Sequence, residues 1–148
     1  MIYKHRYKVK APLSKVIEFH SLASSMMTIT PPPMRGKIFD APHQIAPGDQ
    51  IAFRMWLGPI PIYWKAMIEE TSNSGFVDHQ LEGPFQEWRH RHDFIELGDQ
   101  MTEVYDEVHA SLRPHLIWGL LGLVMWLGLP VLFAYRSWKT RSLLEINY

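Results

Sequence analysis

The stretch from Gly83 to Phe94, Gly-Pro-Phe-Gln-Glu-Trp-Arg-His-Arg-His-Asp-Phe, constrains this chain more than any other. From Trp88 onward it alternates. Trp88, His90, His92 and Phe94 fall on one side of an extended chain, and Arg89, Arg91 and Asp93 on the other. The charged side belongs in water, so the aromatic side looks inward. Two imidazoles on an inward face need partners, because buried polar groups are hydrogen-bonded. The pattern predicts a strand whose inner face is either a satisfied polar core or the wall of a cavity, and we read it as a cavity wall.

The rest of the chain supplies more strands. Tyr3, His5, Tyr7 and Val9 alternate with Lys4, Arg6, Lys8 and Lys10, giving a first strand with one basic, solvated face. Ala11-Pro12 opens a short helix with Leu13, Val16, Ile17 and His20 on one side, since proline is tolerated where its missing amide proton has no partner. A second helix is expected within Ser21 to Thr30, ended by Pro31-Pro32-Pro33. Turn residues then recur at Pro42, Pro47-Gly48-Asp49, Gly58-Pro59-Ile60-Pro61, Asn73-Ser74-Gly75, Gly83-Pro84 and Gly98-Asp99. They delimit six strands: Met34 to Ala41, Gln50 to Leu57, Ile62 to Thr71, Phe76 to Leu81, Glu87 to Leu97 and Met101 to Leu112. Short connections imply antiparallel neighbours, so the pattern is α+β: one curved sheet of about seven strands burying its inner face against helices. A length of 148 residues suits a single domain over 1–148.

The helix that covers the sheet must come from Leu116 to Ile146. Its first part, Leu116 to Tyr135, contains no charge and no histidine, and such a run is long enough to cross a bilayer. Gly119, Gly122, Gly128 and Pro130 interrupt it, and a helix lying in a curved sheet is also apolar nearly all round. Arg136, Lys139 and Arg141 follow, which suits either a membrane flank or the negative end of a helix dipole. Two readings stand: a buried helix, and membrane contact through Leu116 to Tyr135. The N-terminus has no apolar central run of the signal-peptide type, so the expected location is cytoplasmic, with membrane association as the alternative.

Several functions are disfavoured. Fifteen basic residues balance fifteen acidic ones, leaving no cationic footprint for nucleic acid. Without cysteine there is no thiolate nucleophile and no sulfur-ligated zinc. Nothing resembles Gly-x-Ser-x-Gly or a phosphate loop.

What remains is the space between sheet and helix. In the last strand Thr102, Val104, Asp106, Val108, Ala110 and Leu112 share a face, largely apolar with one aspartate. In the Phe76 to Leu81 strand the phase is ambiguous: Phe76, Asp78 and Gln80 share one face, Val77, His79 and Leu81 the other. If Asp78 points in, Asp78, Gln80, His90, His92 and Asp106 converge from three strands. Such a set satisfies itself internally, or orients the polar end of a ligand. His-x-His with a carboxylate has the ligand types of zinc or iron, but the spacing is too common to assign a metal, and no cofactor is assigned. Trp56, Trp64, Trp88, Phe53, Phe85, Met55 and Met67 fill a core or line an apolar pocket for lipids, quinones or polycyclic molecules.

Taken together, Pro31-Pro32, Gly48-Asp49, Trp64-Lys65-Ala66 with Ile68, Phe76-Val77-Asp78-His79-Gln80, Gly83-Pro84-Phe85 with Trp88, His90, His92 and Phe94, Thr102 with Asp106, and Phe133 with Tyr135-Arg136 resemble the SRPBCC superfamily of START-like and polyketide-cyclase-like proteins. The resemblance implies a helix-grip fold, a curved antiparallel sheet around a long C-terminal helix, with a hydrophobic cavity between them. The function carried over is ligand binding in general; with the inward polar set read above, the expectation is binding or carriage of a hydrophobic small molecule, with Asp78, Gln80, Trp88, His90, His92, Phe94 and Asp106 as ligand-binding residues. Two alternatives stand beside it: a cyclase- or dehydratase-type enzyme using a histidine base oriented by an aspartate, and a membrane-tethered carrier. The uncharged 116–135 segment departs from the amphipathic helix that the resemblance leads one to expect.

Overall fold

The computed structural model describes residues 1–69 and 74–145. Thr71 and Ile146, where the sequence reading ends a strand and the last helix, and Asn73 of the predicted turn lie outside the described residues. The elements are β1 (Ile2–Val9), α1 (Leu13–Ser21), α2 (Ala23–Thr28), β2 (Arg35–Asp40), β3 (Gln50–Leu57), β4 (Ile60–Glu69), β5 (Gly75–Glu82), β6 (Phe85–Gly98), β7 (Met101–Leu112), α3 (Leu116–Leu127) and α4 (Leu129–Leu144). The strands form one sheet in the order β1-β7-β6-β5-β4-β3-β2, antiparallel throughout. From β2 to β7 each strand pairs with its successor. Only β1 is paired at a distance, and α1 and α2 carry the chain from that edge of the sheet to the other.

The β6 strand departs from simple alternation at its start. A register shift between Phe85 and Glu87 opposite β7 lets both Phe85 and Trp88 turn inward although they are three residues apart. Gln80 of β5 fixes this hairpin: its Nε2 donates to the Phe85 carbonyl at 2.8 Å, and the Phe85 amide donates to Gln80 Oε1 at 3.2 Å. The main core joins Phe53, Trp64, Ile68, Phe85 and Val108 of the sheet to Leu129 and Phe133 of α4. A second cluster, with Tyr7, Val9, Val16, Phe94 and Val104, lies under α1.

The expected long C-terminal helix is divided in two. Gly128 ends α3 and starts α4, the axes bend by 46°, and Pro130 at the start of α4 has no amide proton to extend the hydrogen-bond ladder. The halves have different surroundings. Leu129 and Phe133 are buried in the core, which corrects the reading that places all of 116–135 in lipid. α3 instead packs against β6 and β7, seated at Gly122, where an added Cβ would come within 3.1 Å of Leu112 and 3.5 Å of Phe85. Met125 and Trp126 pack against the core, while the outer side stands in solvent: Leu116 is 86% exposed, Ile117 70%, Leu120 60% and Leu127 69%. Among the described residues no single helix is long and apolar enough to cross a membrane, although the bent pair passes the same test of length and composition.

Phe133 ties helix to sheet. It is 1% exposed and its ring lies 5.3 Å from Tyr3, 5.6 Å from His5 and 5.5 Å from His90. Phe133→Ala is expected to lower unfolding stability by about 3–5 kcal/mol, read from urea denaturation. A loss below about 1 kcal/mol would mean that α4 does not close the core.

Candidate functional site

Between the sheet and α4 lies a cavity of about 220 Å³. Most of its wall is apolar, including Met26 and Met27 of α2, Phe53 of β3, Trp64 of β4 and Leu132 of α4, and its polar corner contains Asp78, His90, His92 and Arg136. This is the composition of a small-molecule site, in which apolar walls hold a ligand and a few convergent polar groups orient it.

Register assembles that corner. Asp78 of β5 stands opposite His90 of β6, and His92 of β6 stands opposite Asp106 of β7, all on the concave face. The shortest bonds run along the diagonals of this square. His92 Nε2 donates to Asp78 Oδ2 at 2.7 Å, and His90 Nε2 donates to Asp106 Oδ1 at 2.8 Å. The direct pairs are longer: His92 Nδ1 lies 3.3 Å from Asp106 Oδ1, and His90 Nδ1 lies 3.9 Å from Asp78 Oδ2. The two rings sit 3.7 Å apart, centroid to centroid.

The two histidines therefore differ in charge. Burial by itself would lower the His92 pKa, but hydrogen bonds to Asp106 and Asp78 outweigh it and push the pKa up to about 9. His92 is an imidazolium at neutral pH. His90 goes the other way, lowered by burial and then by the charge on His92. A neutral His90 that gives its Nε2 proton to Asp106 keeps Nδ1 as an acceptor. Burial opposes the charge on both aspartates, but the bonds from the histidines hold the Asp106 and Asp78 carboxyls below the usual range.

Not every predicted residue reaches the cavity. Asp78, Trp88, His90 and His92 line it, and Trp88 packs edge-on against Trp64 at 5.2 Å. Asp106 stands behind the histidines and orients both. Gln80 and Phe94 are not among the lining residues. Gln80 is held by the Phe85 backbone, and Phe94 is buried in the second core cluster against Phe76 and His20. The structure adds polar lining residues that the sequence reading did not assign to the site, among them His20, Ser25, Thr30 and Arg136. His20 of α1 bonds through Nδ1 to the Val16 carbonyl at 2.8 Å, and burial lowers its pKa to about 4. Arg136 of α4 was grouped with Lys139 and Arg141 as an end charge; its spacing of three from Phe133 is the signal that it shares the inward stripe.

Asp78, His90 and His92 also bring one donor atom each within 4.8 Å of one another, a set of the types that zinc and iron accept. An ion there would have to displace the His92–Asp78 bond. A neutral imidazole oriented by a carboxylate also has the form of a general base.

A curved antiparallel sheet closed by C-terminal helices over a cavity is the START-like helix-grip fold. No family model matches the sequence, and a search of curated proteins finds no relative. Solved structures do match. A START superfamily protein from Mycobacterium smegmatis superposes with a TM-score of 0.71 at 10% identity, over 97% of this chain and 96% of that one. The Zhui aromatase/cyclase from Streptomyces sp. R1128 gives 0.68 at 16% identity, over 95% and 94%. The protein Ara h 8.0201 gives 0.62 at 10% identity, over 95% and 97%. The chain thus has the fold shared by START superfamily proteins and the aromatase/cyclases, as the sequence resemblance implies. At these identities the likeness is one of fold.

The cluster gives stability a maximum in pH. His92, raised from 6.5 to about 9, contributes stability that is complete below pH 6.5 and lost as pH rises through 9. His20, lowered from 6.5 to about 4, contributes stability that is complete above pH 6.5 and lost as pH falls through 4. Urea midpoints should therefore peak near pH 6.5 and fall on both sides. His92→Gln should start lower and lose the alkaline fall; an unchanged alkaline limb in this variant would remove His92 as its source.

Proposed function

We propose that this protein binds or carries a hydrophobic small molecule between sheet and C-terminal helices, with Asp78, His90, His92 and Asp106 forming the polar end and Trp88 an apolar wall. The observation that carries this reading is the cavity itself, apolar over most of its wall and polar at one corner. Gln80 and Phe94 serve that site indirectly, by holding the β5–β6 hairpin and the adjoining core. The fold supports the same reading, since START superfamily proteins and an aromatase/cyclase share it. Native mass spectrometry of gently purified protein is expected to show an apolar adduct that denaturation releases. Ala66→Leu, which adds volume to a lining position 5% exposed, should lower its occupancy. Bare sequence mass together with no uptake of an added apolar probe would sink the proposal.

A second reading concerns how an apolar molecule reaches the cavity. α3 exposes leucines and an isoleucine along one side, while its Val124 and Met125 line the cavity. Such a helix is suited to lie in the boundary of a lipid surface, its axis in the plane of the membrane. The protein should therefore co-sediment with phosphatidylcholine vesicles. Leu120→Glu with Leu127→Glu should abolish this without unfolding, because both positions are exposed. Vesicle binding unaffected by the double substitution would exclude α3 as the contact.

A further inference from the structure

Arg136 is the one group at the polar corner without a polar partner among the described residues. It reaches the cavity from α4, its Nε is buried, and it forms neither a hydrogen bond nor an ion pair. Its guanidinium lies 5.5 Å from the ring of Phe133, one turn back on the same helix. Two carboxylates are close enough to act on it electrostatically, but both are engaged elsewhere. Asp106 Oδ1 receives His90 and His92, and Asp78 Oδ2 receives His92. Arginine stays charged in proteins, the residue is half-buried, and its buried Nε has no acceptor, which is costly. A fork of N–H donors in an apolar chamber matches one class of ligand group above others, a planar anion that accepts two parallel hydrogen bonds.

We propose that the cavity is a receptor for carboxylate amphiphiles: Arg136 binds the carboxylate, and the methionine- and aromatic-lined chamber takes the apolar body. This rests on the reading of the cavity as a ligand site. The volume of about 220 Å³ limits the body to a modest size, below the range of about 300–1,000 Å³ usual for drug-sized ligands. Charge accounts for the rest. Asp78 and Asp106 are matched by His92 and Arg136, so an entering carboxylate leaves one negative charge in excess. His90, bonded through Nε2 alone, has Nδ1 available for the compensating proton.

Two matched pairs of probes separate the head group from the body: decanoate against decan-1-ol, and 2-naphthoate against 2-naphthol, titrated calorimetrically into the whole protein at neutral pH. At least one carboxylate is expected to bind about tenfold or more tightly than its alcohol, the worth of a charge-assisted hydrogen bond. Arg136→Met should remove that preference, the acid and its alcohol then binding within about twofold of each other, and Arg136→Lys should keep part of it. Equal affinity for acid and alcohol in the unmodified protein would overturn the proposal while leaving the cavity reading intact. So would an undiminished preference in Arg136→Met. If none of the four probes binds, the cavity reading fails along with it. Should Arg136→Met not fold, the ratio in the unmodified protein and in Arg136→Lys still decides.

Discussion

An imidazolium held between a buried carboxylate, Asp106, and a half-buried one, Asp78, is the constraint on which the inner face of the sheet depends. His92 bonds to Asp78 on one side and faces Asp106 on the other, and Asp106 in turn fixes His90. Removing His92 leaves two carboxylates without the cation between them, which costs several kcal/mol, and removing His90 takes a hydrogen bond from Asp106. The cluster spans β5, β6 and β7 and so pins the register of three strands. A slip of one residue in any of them would turn its member outward. The cavity inherits its polar corner from this arrangement, and the rest of its wall comes from ordinary core residues that stop short of filling the space.

How much of this was legible depends on which residues carried an unambiguous period. β3 and β7 fall at the predicted boundaries, because turn residues flank them and their inward and outward positions alternate. The inward set Trp88, His90 and His92 was legible because Arg89 and Arg91 mark the opposite face. Asp78 was not, since β5 has polar residues on both faces; pairing with His90 across the ladder decides it. Gln80 shares the phase of Asp78 but lies beside the Gly83-Pro84 turn, where backbone groups compete for its amide. Arg136 escaped because a charge near the end of an apolar run reads as a boundary. Only the tertiary position of α4 shows that its stripe continues inward through Phe133 to Arg136 and Thr140.

The C-terminal segment illustrates a composition with two outcomes. Leu129 and Phe133 are buried as a core helix requires, whereas Leu116, Ile117 and Leu120 are exposed as no ordinary surface helix would have them. Hydropathy averages over these opposite situations and cannot separate them. The bend at Gly128 does, by dividing one apolar run into a part that closes the fold and a part that faces outward.

The pairing of β1 with β7 carries a consequence for the order in which the molecule is made. Ile2 pairs with His109 and Val9 with Thr102, so this ladder closes a loop of about a hundred residues, whereas β5, β6 and β7 are joined by short hairpins. Loop closure over such a span costs more entropy than a hairpin does, and non-local pairing slows folding. Topology thus favours completing the histidine and aspartate square while the chain's first strand is still unattached. On that order the polar corner is a template on which the chamber is later built, and β1, whose Tyr3 and His5 meet Phe133, comes to it late.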